Sequence, residues 1–447
     1  MFILELMTMK PVLRTTLTVL GMLWCNTNWA QSLEQTINDA IQTNPDMAVT
    51  LQSYFASQAE LDIAQGRFLP SLDLRADSGR EDQDRANVGE TNQTRKQARL
   101  KLSIPLFRGF ANTSEYSRAD FNMQAHYHQT LAQAESLALQ VAQVYTHVMN
   151  AQEVLRLSQE NLEQHLETYD MVAARKRQGI SDKSDLTQIK GRIARVRANI
   201  LAARNNLADA ETLYKQLTGD YPGDFIRPEV DQSYLPESQD RAIKLALQNN
   251  QLLIASRLDV NASTADVKGV QSENYPSFDL VADRSWKDNV SGFDGREDES
   301  RLLVEMNWNL YSGGQSSSRY RRALYREEAS RMRSNKVYRE VQANAESSWD
   351  AFVTLKQSRV HLHDYVEQSR ESTELYLAQF KAGHRTLLDL LDTQNELFEA
   401  RKQYLAADYQ YVYAQYRVLA SISNILGAMR INTIRPLLQK GPKKTTP

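Results

Sequence analysis

Between Ala111 and Gln178 the chain contains neither proline nor glycine. The residues that interrupt helices most strongly are thus missing from a span that, at about 1.5 Å per helical residue, extends on the order of 100 Å. No compact domain holds a helix of that length, so the architecture must be rod-like. With 447 residues the chain could otherwise make two or three ordinary domains. A charged fraction of 24%, with 17 Gly and 11 Pro, marks it as structured rather than disordered or collagen-like.

The rod is encoded twice. Thr43-Asn44-Pro45 and Phe68-Leu69-Pro70-Ser71-Leu72-Asp73-Leu74 recur 206 positions later as Asn249-Asn250-Gln251 and Asn274-Tyr275-Pro276-Ser277-Phe278-Asp279-Leu280. A second set recurs after 204 positions: Leu106-Phe107-Arg108-Gly109 against Leu310-Tyr311-Ser312-Gly313, Tyr116 against Tyr320, Gly179 against Gly383 and Asp185 against Asp389. The mature chain therefore reads as a tandem duplication. We expect a first repeat at 31–218, a Gly-, Pro- and Asp-rich linker or equatorial segment at 219–236, a second repeat at 237–428 and a C-terminal tail at 429–447. The tail's basic end, from Lys440 to Pro447, is expected to be disordered. Each repeat reads helix, strand, polar loop, strand, very long helix, tight turn, long helix.

The strands carry a two-residue period. Leu72, Leu74 and Ala76 alternate with Asp73, Arg75 and Asp77, and Ala98, Leu100, Leu102, Ile104 and Leu106 with Gln97, Arg99, Lys101 and Ser103. In the second repeat Phe278, Leu280 and Ala282 alternate with Asp279 and Asp283, and Leu302, Val304, Met306, Trp308 and Leu310 with Leu303, Glu305, Asn307 and Asn309. One apolar face and one charged face suit a lipid-facing barrel with a wet lumen; a soluble sheet packed on helices is the alternative. Four strands cannot close a barrel and open edges do not survive in lipid, so closure needs several copies of the chain. Charged loops are predicted from Arg80 to Thr94 and from Lys287 to Ser300.

After the turn at Gly179, Leu186, Ile189, Ile193, Val196, Ile200, Ala203, Leu207, Ala210, Tyr214 and Leu217 recur in steps of three and four, a coiled-coil seam. The duplicate places Leu390, Thr393, Leu397, Ala400, Tyr404, Ala407, Tyr411, Ala414 and Val418 at the matching positions. Its smaller residues and tyrosines suit a helix that packs on more than one neighbour.

Lys10 and Arg14, an apolar run from Val12 to Trp24 and the sequence Trp29-Ala30-Gln31 form a secretory signal peptide, cut after Ala30. The single cysteine, Cys25, falls inside it, which excludes disulfides, thiol catalysis and zinc–thiolate sites from the mature chain. Leu23-Trp24 ahead of Cys25 do not suit lipidation. The formal charge is −2, or about −3 without the leader, which does not suggest nucleic acid. Beyond the leader no apolar stretch is long enough for a transmembrane helix, so a membrane would have to be crossed by strands.

The two turns are Gln178-Gly179-Ile180-Ser181-Asp182-Lys183-Ser184-Asp185-Leu186 and Ala382-Gly383-His384-Arg385-Thr386-Leu387-Leu388-Asp389-Leu390, at the rod ends far from the strands. The run from Phe380 to Asp392, followed by Asn395-Glu396-Leu397-Phe398-Glu399-Ala400-Arg401, resembles the periplasmic-entrance segment of the TolC family of outer-membrane channels. The resemblance covers essentially the whole mature chain. Within the family, Trp308-Asn309-Leu310-Tyr311-Ser312-Gly313-Gly314 and the segment from Tyr411 to Ser421 look most like the type I secretion branch, which exports large adhesins.

The resemblance implies an α+β membrane protein: a trimeric twelve-stranded β-barrel, four strands per chain, continued by a long periplasmic α-helical coiled-coil barrel. It implies engagement by a periplasmic adaptor and an inner-membrane ABC transporter, with protein export as the function and a tripartite drug or metal efflux pump as the alternative. By the same resemblance Asp389 and Asp392 match two acidic rings lining the closed entrance. Arg385, Asp185 and Ser184 match groups in the bonds that hold the helix pairs shut, and Gly179 and Gly383 mark the tips that face the adaptor. Phe380 departs from the family, where a tyrosine hydroxyl bonding the partner aspartate is expected.

Asp389 and Asp392 are three apart and share one helical face, and the symmetric trimer that the resemblance implies would gather six carboxylates about one axis, favouring cations. The alternative is that acids in a first helical turn serve only the helix dipole. Neither a phosphate-cradling glycine loop nor a Gly-x-Ser-x-Gly elbow occurs. His126 and His128, like His361 and His363, are two apart and do not share a face, which reads as solvated surface histidines. No catalysis and no cofactor or metal are expected. A soluble periplasmic coiled-coil adaptor is the remaining rival, disfavoured by the four amphipathic strands.

Overall fold

The structure, a computed structural model, describes residues 31–86, 89–292 and 294–439; the leader at 1–30 and the terminal stretch from Lys440 lie outside the described residues. One set of elements runs α1 (Leu33–Thr43), α2 (Pro45–Gly66), β1 (Ser71–Arg85), β2 (Gly89–Arg108), α3 (Ala111–Arg177) and α4 (Lys183–Thr218). The same order follows as α5 (Gln239–Asn249), α6 (Gln251–Gln271), β3 (Ser277–Asp288), β4 (Arg296–Asn307), α7 (Gln315–Lys381) and α8 (Leu387–Ser421), with short α9 (Ile425–Ala428) and α10 (Ile434–Gln439) closing the chain. Each helical stretch ahead of the strands is broken in two by an asparagine. Asn44 and Asn250, extended in backbone, end one helix and cap the next through their side-chain oxygens.

α3 and α7 each have 67 residues, on the order of 100 Å. Near the sheet α3 is flanked by α2 and α6, and farther down by α4 and α8, with α7 packed on α6 and then on α8. Asn44 donates to the Leu217 carbonyl at 3.0 Å, which joins the top of α4 to the start of α2. The expected seam on α4 is buried at Ile189, Ile193, Val196, Ile200, Ala203, Ala210 and Tyr214. α8 buries Leu390, Leu397, Ala400, Ala407, Ala414 and Val418 of its seam and a second stripe, including Leu391, Phe398, Val412 and Leu419, because it lies against both α7 and α3, while Thr393, Tyr404 and Tyr411 are half-buried.

The main core sits halfway down the rods. Leu33, Ile37 and Ile41 of α1 pack with Val141 and Tyr145 of α3, Tyr214 of α4, Tyr416 and Leu419 of α8, and Ile425 and Leu438 of the C-terminal helices. The Tyr145 hydroxyl lies 2.7 Å from both the Gln31 and the Ile226 carbonyls, and its ring packs at a tilt on Phe225 with centres 4.1 Å apart, so the 219–236 segment is bound into this core.

The four strands form one antiparallel sheet in the order β1-β2-β3-β4, leaving β1 and β4 as edges. Cross-strand registers align Leu72, Leu102, Ala282 and Leu302 in one row and Asp73, Lys101, Asp283 and Arg301 in the next, on opposite faces. The first face is open: Leu72 is 65% exposed, Leu302 71% and Val304 65%. The second is an ionic mesh in which Arg99 and Arg301 both pair with buried Asp283, and Arg108 pairs with Asp279 at 2.8 Å. On β3 this face carries Phe278, Leu280 and Ala282, then Arg284 and Trp286, and runs about 26 Å along the strand. Phe107, Phe110 and Tyr275 cluster with Phe278 at the lower end, as in an aromatic girdle, and Arg284 lies over the single Trp286 at the other end.

Two sequence expectations need correction here. The segment predicted as a loop from Arg80 to Thr94 is largely strand, since β1 and β2 stay paired to Arg85 and Gly89, well past the last β2–β3 pair at Lys96 and Asp288, and the loop predicted from Lys287 to Ser300 is shorter, with β3 running to Asp288 and β4 starting at Arg296. Charge alone suggests a loop, whereas pairing here needs only a neighbour, and Arg95 lies between Asp77 at 3.0 Å and Glu81 at 3.4 Å along the ladder. Conversely β4 stops at Asn307 rather than continuing to Leu310, because its partner begins at Ser277, after Pro276, which has no N–H to donate.

Candidate functional site

The candidate site is the pair of hairpin tips. α3 ends with Gln178, and the Gly179 N–H donates to the Lys176 carbonyl while the Ile180 N–H donates to that of Arg175. α7 ends in the same way, with Gly383 donating to Phe380 and His384 to Gln379. Both glycines are left-handed, φ 77° and 81°, a conformation that a side chain resists. The next helices start with a side-chain cap: the Asp182 carboxylate accepts from the Ser184 and Asp185 N–H groups, and the Thr386 hydroxyl oxygen from the Asp389 N–H.

An apolar plug locks the two hairpins together just behind the tips. Val172, Ile189, Ile193, Phe380, Leu387, Leu390 and Leu391 are buried in it. Arg175 crosses from the first hairpin to the second, its guanidinium 4.6 Å from the centre of the Phe380 ring while donating to the Phe380 carbonyl at 2.8 Å. Farther from the tip, buried Gln394 donates to Thr168 at 3.2 Å, and Arg401 pairs with Glu160 at 3.3 Å.

The sequence-nominated residues fall into different roles. Asp389 belongs to a capping box, accepting from the Thr386 N–H and hydroxyl. The Thr386 hydroxyl, then its N–H, then the charge of Arg385 hold this carboxyl below the ordinary aspartate range, so it stays charged. Asp392 reaches the other hairpin and pairs with Arg192 at 2.7 Å. Arg385 is exposed, donating to Gln379 at 2.9 Å with its guanidinium 4.2 Å from the Tyr376 ring centre. Asp185 accepts from Ser181, and Ser184 donates to Asp182. Within the chain, Arg385 is therefore not brought to Asp185 or Ser184.

Sequence reasoning missed Arg175, Arg192 and Thr386. Thr386-Leu387-Leu388-Asp389 has capping-box spacing and could have been found. The two arginines carry no local signal, because their partners lie about 200 positions away. His126 and His128, expected at the solvated surface, are half-buried, and His128 shares a hydrogen bond with Gln251 at 2.7 Å, since α6 packs over them. Among the described residues no cluster of three potential metal ligands occurs.

A family profile described as outer membrane efflux protein matches residues 36–220 and 242–424, one match for each set of elements and together most of the chain. The chain belongs to the outer membrane efflux protein family. The chain is 25% identical to the outer membrane efflux protein BepC of Brucella suis biovar 1 over 72% of its length and 70% of the relative's. It is 24% identical to the outer membrane protein TolC of Escherichia coli K12, covering 89% and 83% of the two chains. In structure it matches the outer membrane channel CmeC of Campylobacter jejuni with a TM-score of 0.80 at 15% identity, covering 92% and 89%. As an outer membrane efflux protein it is a channel and not an enzyme, and it sits in the outer membrane with its helices in the periplasm. Its four-stranded sheet is one chain's share of a barrel completed by other copies, which removes the two open edges.

Proposed function

We propose that this chain forms, as a homotrimer, the exit duct of a type I secretion system, carrying unfolded protein from a periplasmic adaptor and inner-membrane ABC transporter to the cell exterior. Support comes from one feature above all: a single chain joins an open sheet with a lipid-exposed apolar face to hairpins on the order of 100 Å long. Such a molecule spans the outer membrane and much of the periplasm without moving parts between. The duct hydrolyses nothing, and the energy comes from the inner-membrane partner. The type I assignment and a large adhesin as cargo rest on the sequence likeness at Trp308 to Gly314 and Tyr411 to Ser421. The second reading is the outer-membrane part of a drug or metal efflux pump, and the similarity to BepC, named as an efflux protein, favours efflux in general.

In this reading the tips are the gate. Asp389 and Asp392 ring the axis and favour cations. Opening rotates the hairpins apart, releasing Arg385, Asp185 and Ser184 from bonds to neighbouring groups, while the Arg175 contact keeps each chain's own hairpins together. Gly179 and Gly383 present the tips to the adaptor. Single-channel recording of purified trimers in planar bilayers tests this. Cation-selective openings that lose selectivity in the Asp389→Ala, Asp392→Ala protein are expected, and unchanged conductance on combining Arg385→Ala with Asp185→Ala would sink the gate assignment. Deleting the gene separates the two readings: loss of a secreted giant protein supports secretion, and sensitivity to drugs or metals alone supports efflux.

A further inference from the structure

A groove of about 760 Å³ lies between the top of α3 and the top of α6, immediately below the sheet. Which side of the wall it opens on follows from its rim. Phe107 and Phe278 stand in the same cross-strand row as Met306, on the apolar face. Phe110 packs edge-on against Phe107 at 5.3 Å and against Tyr275 at 6.1 Å, and Phe110 and Tyr275 line the groove. The groove therefore continues the lipid-facing surface past the lower aromatic girdle. On α6 its residues, Asn261, Thr264 and Lys268, lie on the helical face opposite Asp259 and Asp266, which line a separate cavity with Arg118 and Arg333. α3 and α6 are also the inner two of the four helices at this level, with α2 and α7 outside them, so neighbouring copies meet α2 and α7 first.

We propose that this groove binds the headgroup of a phospholipid from the inner leaflet of the outer membrane. It lies at the depth of the headgroup layer, directly under the girdle. Its lining holds one cation, Lys268, and no carboxylate, so its charge suits a phosphate. Lys268 makes no ion pair among the described residues. Thr113 and Ser117 supply hydroxyls on the α3 wall, and Phe110 with Tyr275, at the end nearest the sheet, offers apolar surface to the glycerol and the first acyl carbons. One lipid per chain would then fasten the helical tunnel to the membrane just below the barrel, where the wall changes from sheet to helix. The inference rests on the membrane placement of the sheet described above.

Native mass spectrometry of detergent-released trimers, titrated with dioleoylphosphatidylglycerol, tests it. Wild-type protein is expected to retain one lipid per chain, with apparent affinity about tenfold weaker in Lys268→Glu and retention abolished in Ser117→Trp, which fills the groove. Lys190→Glu, the same charge change near the tips, should match wild type. The same spectra report whether each variant is a folded trimer. Equal lipid retention in wild type and both groove variants would overturn the proposal, as would displacement of the lipid by millimolar inorganic phosphate, which would make free phosphate the ligand. Failure of the membrane placement itself looks different, because wild-type protein would then leave membranes in high salt without detergent.

Discussion

Asp389 and Asp392 stand three positions apart on one helix and answer to different partners: Asp389 closes the first turn of α8, while Asp392 meets Arg192 of the facing hairpin. The helix-terminal role that the sequence allowed for such acids is thus occupied by Asp389 alone, whatever each does in the assembled pore. Because the Asp392 side chain in this pair is 59% exposed, the pair is worth about 0.2–1 kcal/mol. Arg192→Ala should leave trimer stability nearly unchanged while uncovering the Asp392 charge, and the expected outcome in planar bilayers is greater cation selectivity. Gly383→Ala tests the turn itself. At φ 81° a methyl group strains the backbone by about 1 kcal/mol or more, so hydrogen exchange at the second tip should speed up while the midpoint of global unfolding barely moves. The glycines and acids of the tips were legible in the sequence because caps and turns are local. Arg175 was not, because its partner Phe380 is 205 positions away.

Among the elements, α3 is held at its waist by a half-buried acid. The Glu135 carboxylate accepts the Ile425 N–H at 3.0 Å and so fastens the C-terminal α9 to α3. Burial raises its pKa to about 7, more than the Ile425 and Leu426 N–H groups lower it. A carboxyl raised above its unfolded value stabilises the fold fully at low pH, and that contribution is lost as pH rises from about 4.5 through about 7. The loss is on the order of 3 kcal/mol. Thermal unfolding in detergent should therefore show a midpoint that falls between pH 5 and pH 8 in wild type and changes much less in Glu135→Gln. The helices themselves were readable from periodicity and from the absence of breakers. The strand limits were not, since a ladder extends as far as a partner does, and β1 and β2 carry their pairing through residues whose charge alone suggests a loop.

For the whole molecule, adjacent residues of β4 make the decisive contrast. Leu302 stands on the apolar face and Leu303 on the ionic face beside Val281. An arginine facing the bilayer middle costs about 2–4 kcal/mol, and one facing the lumen far less. Leu302→Arg should sharply reduce the heat-modifiable trimer recovered from outer membranes, whereas Leu303→Arg should assemble at close to the wild-type level. The sequence by itself determined the duplication, the rod-like helices, the two-faced strands and the need for further copies, because repeats, breakers, periodicity and open edges are properties of the chain read along its length. Only the tertiary structure decided that Arg175 grips Phe380, that Asp392 pairs with Arg192 and that Phe110 and Tyr275 frame a groove against lipid. Those contacts join residues well over a hundred positions apart, and nothing local in a sequence records which distant side chains the packing of two repeats will bring together.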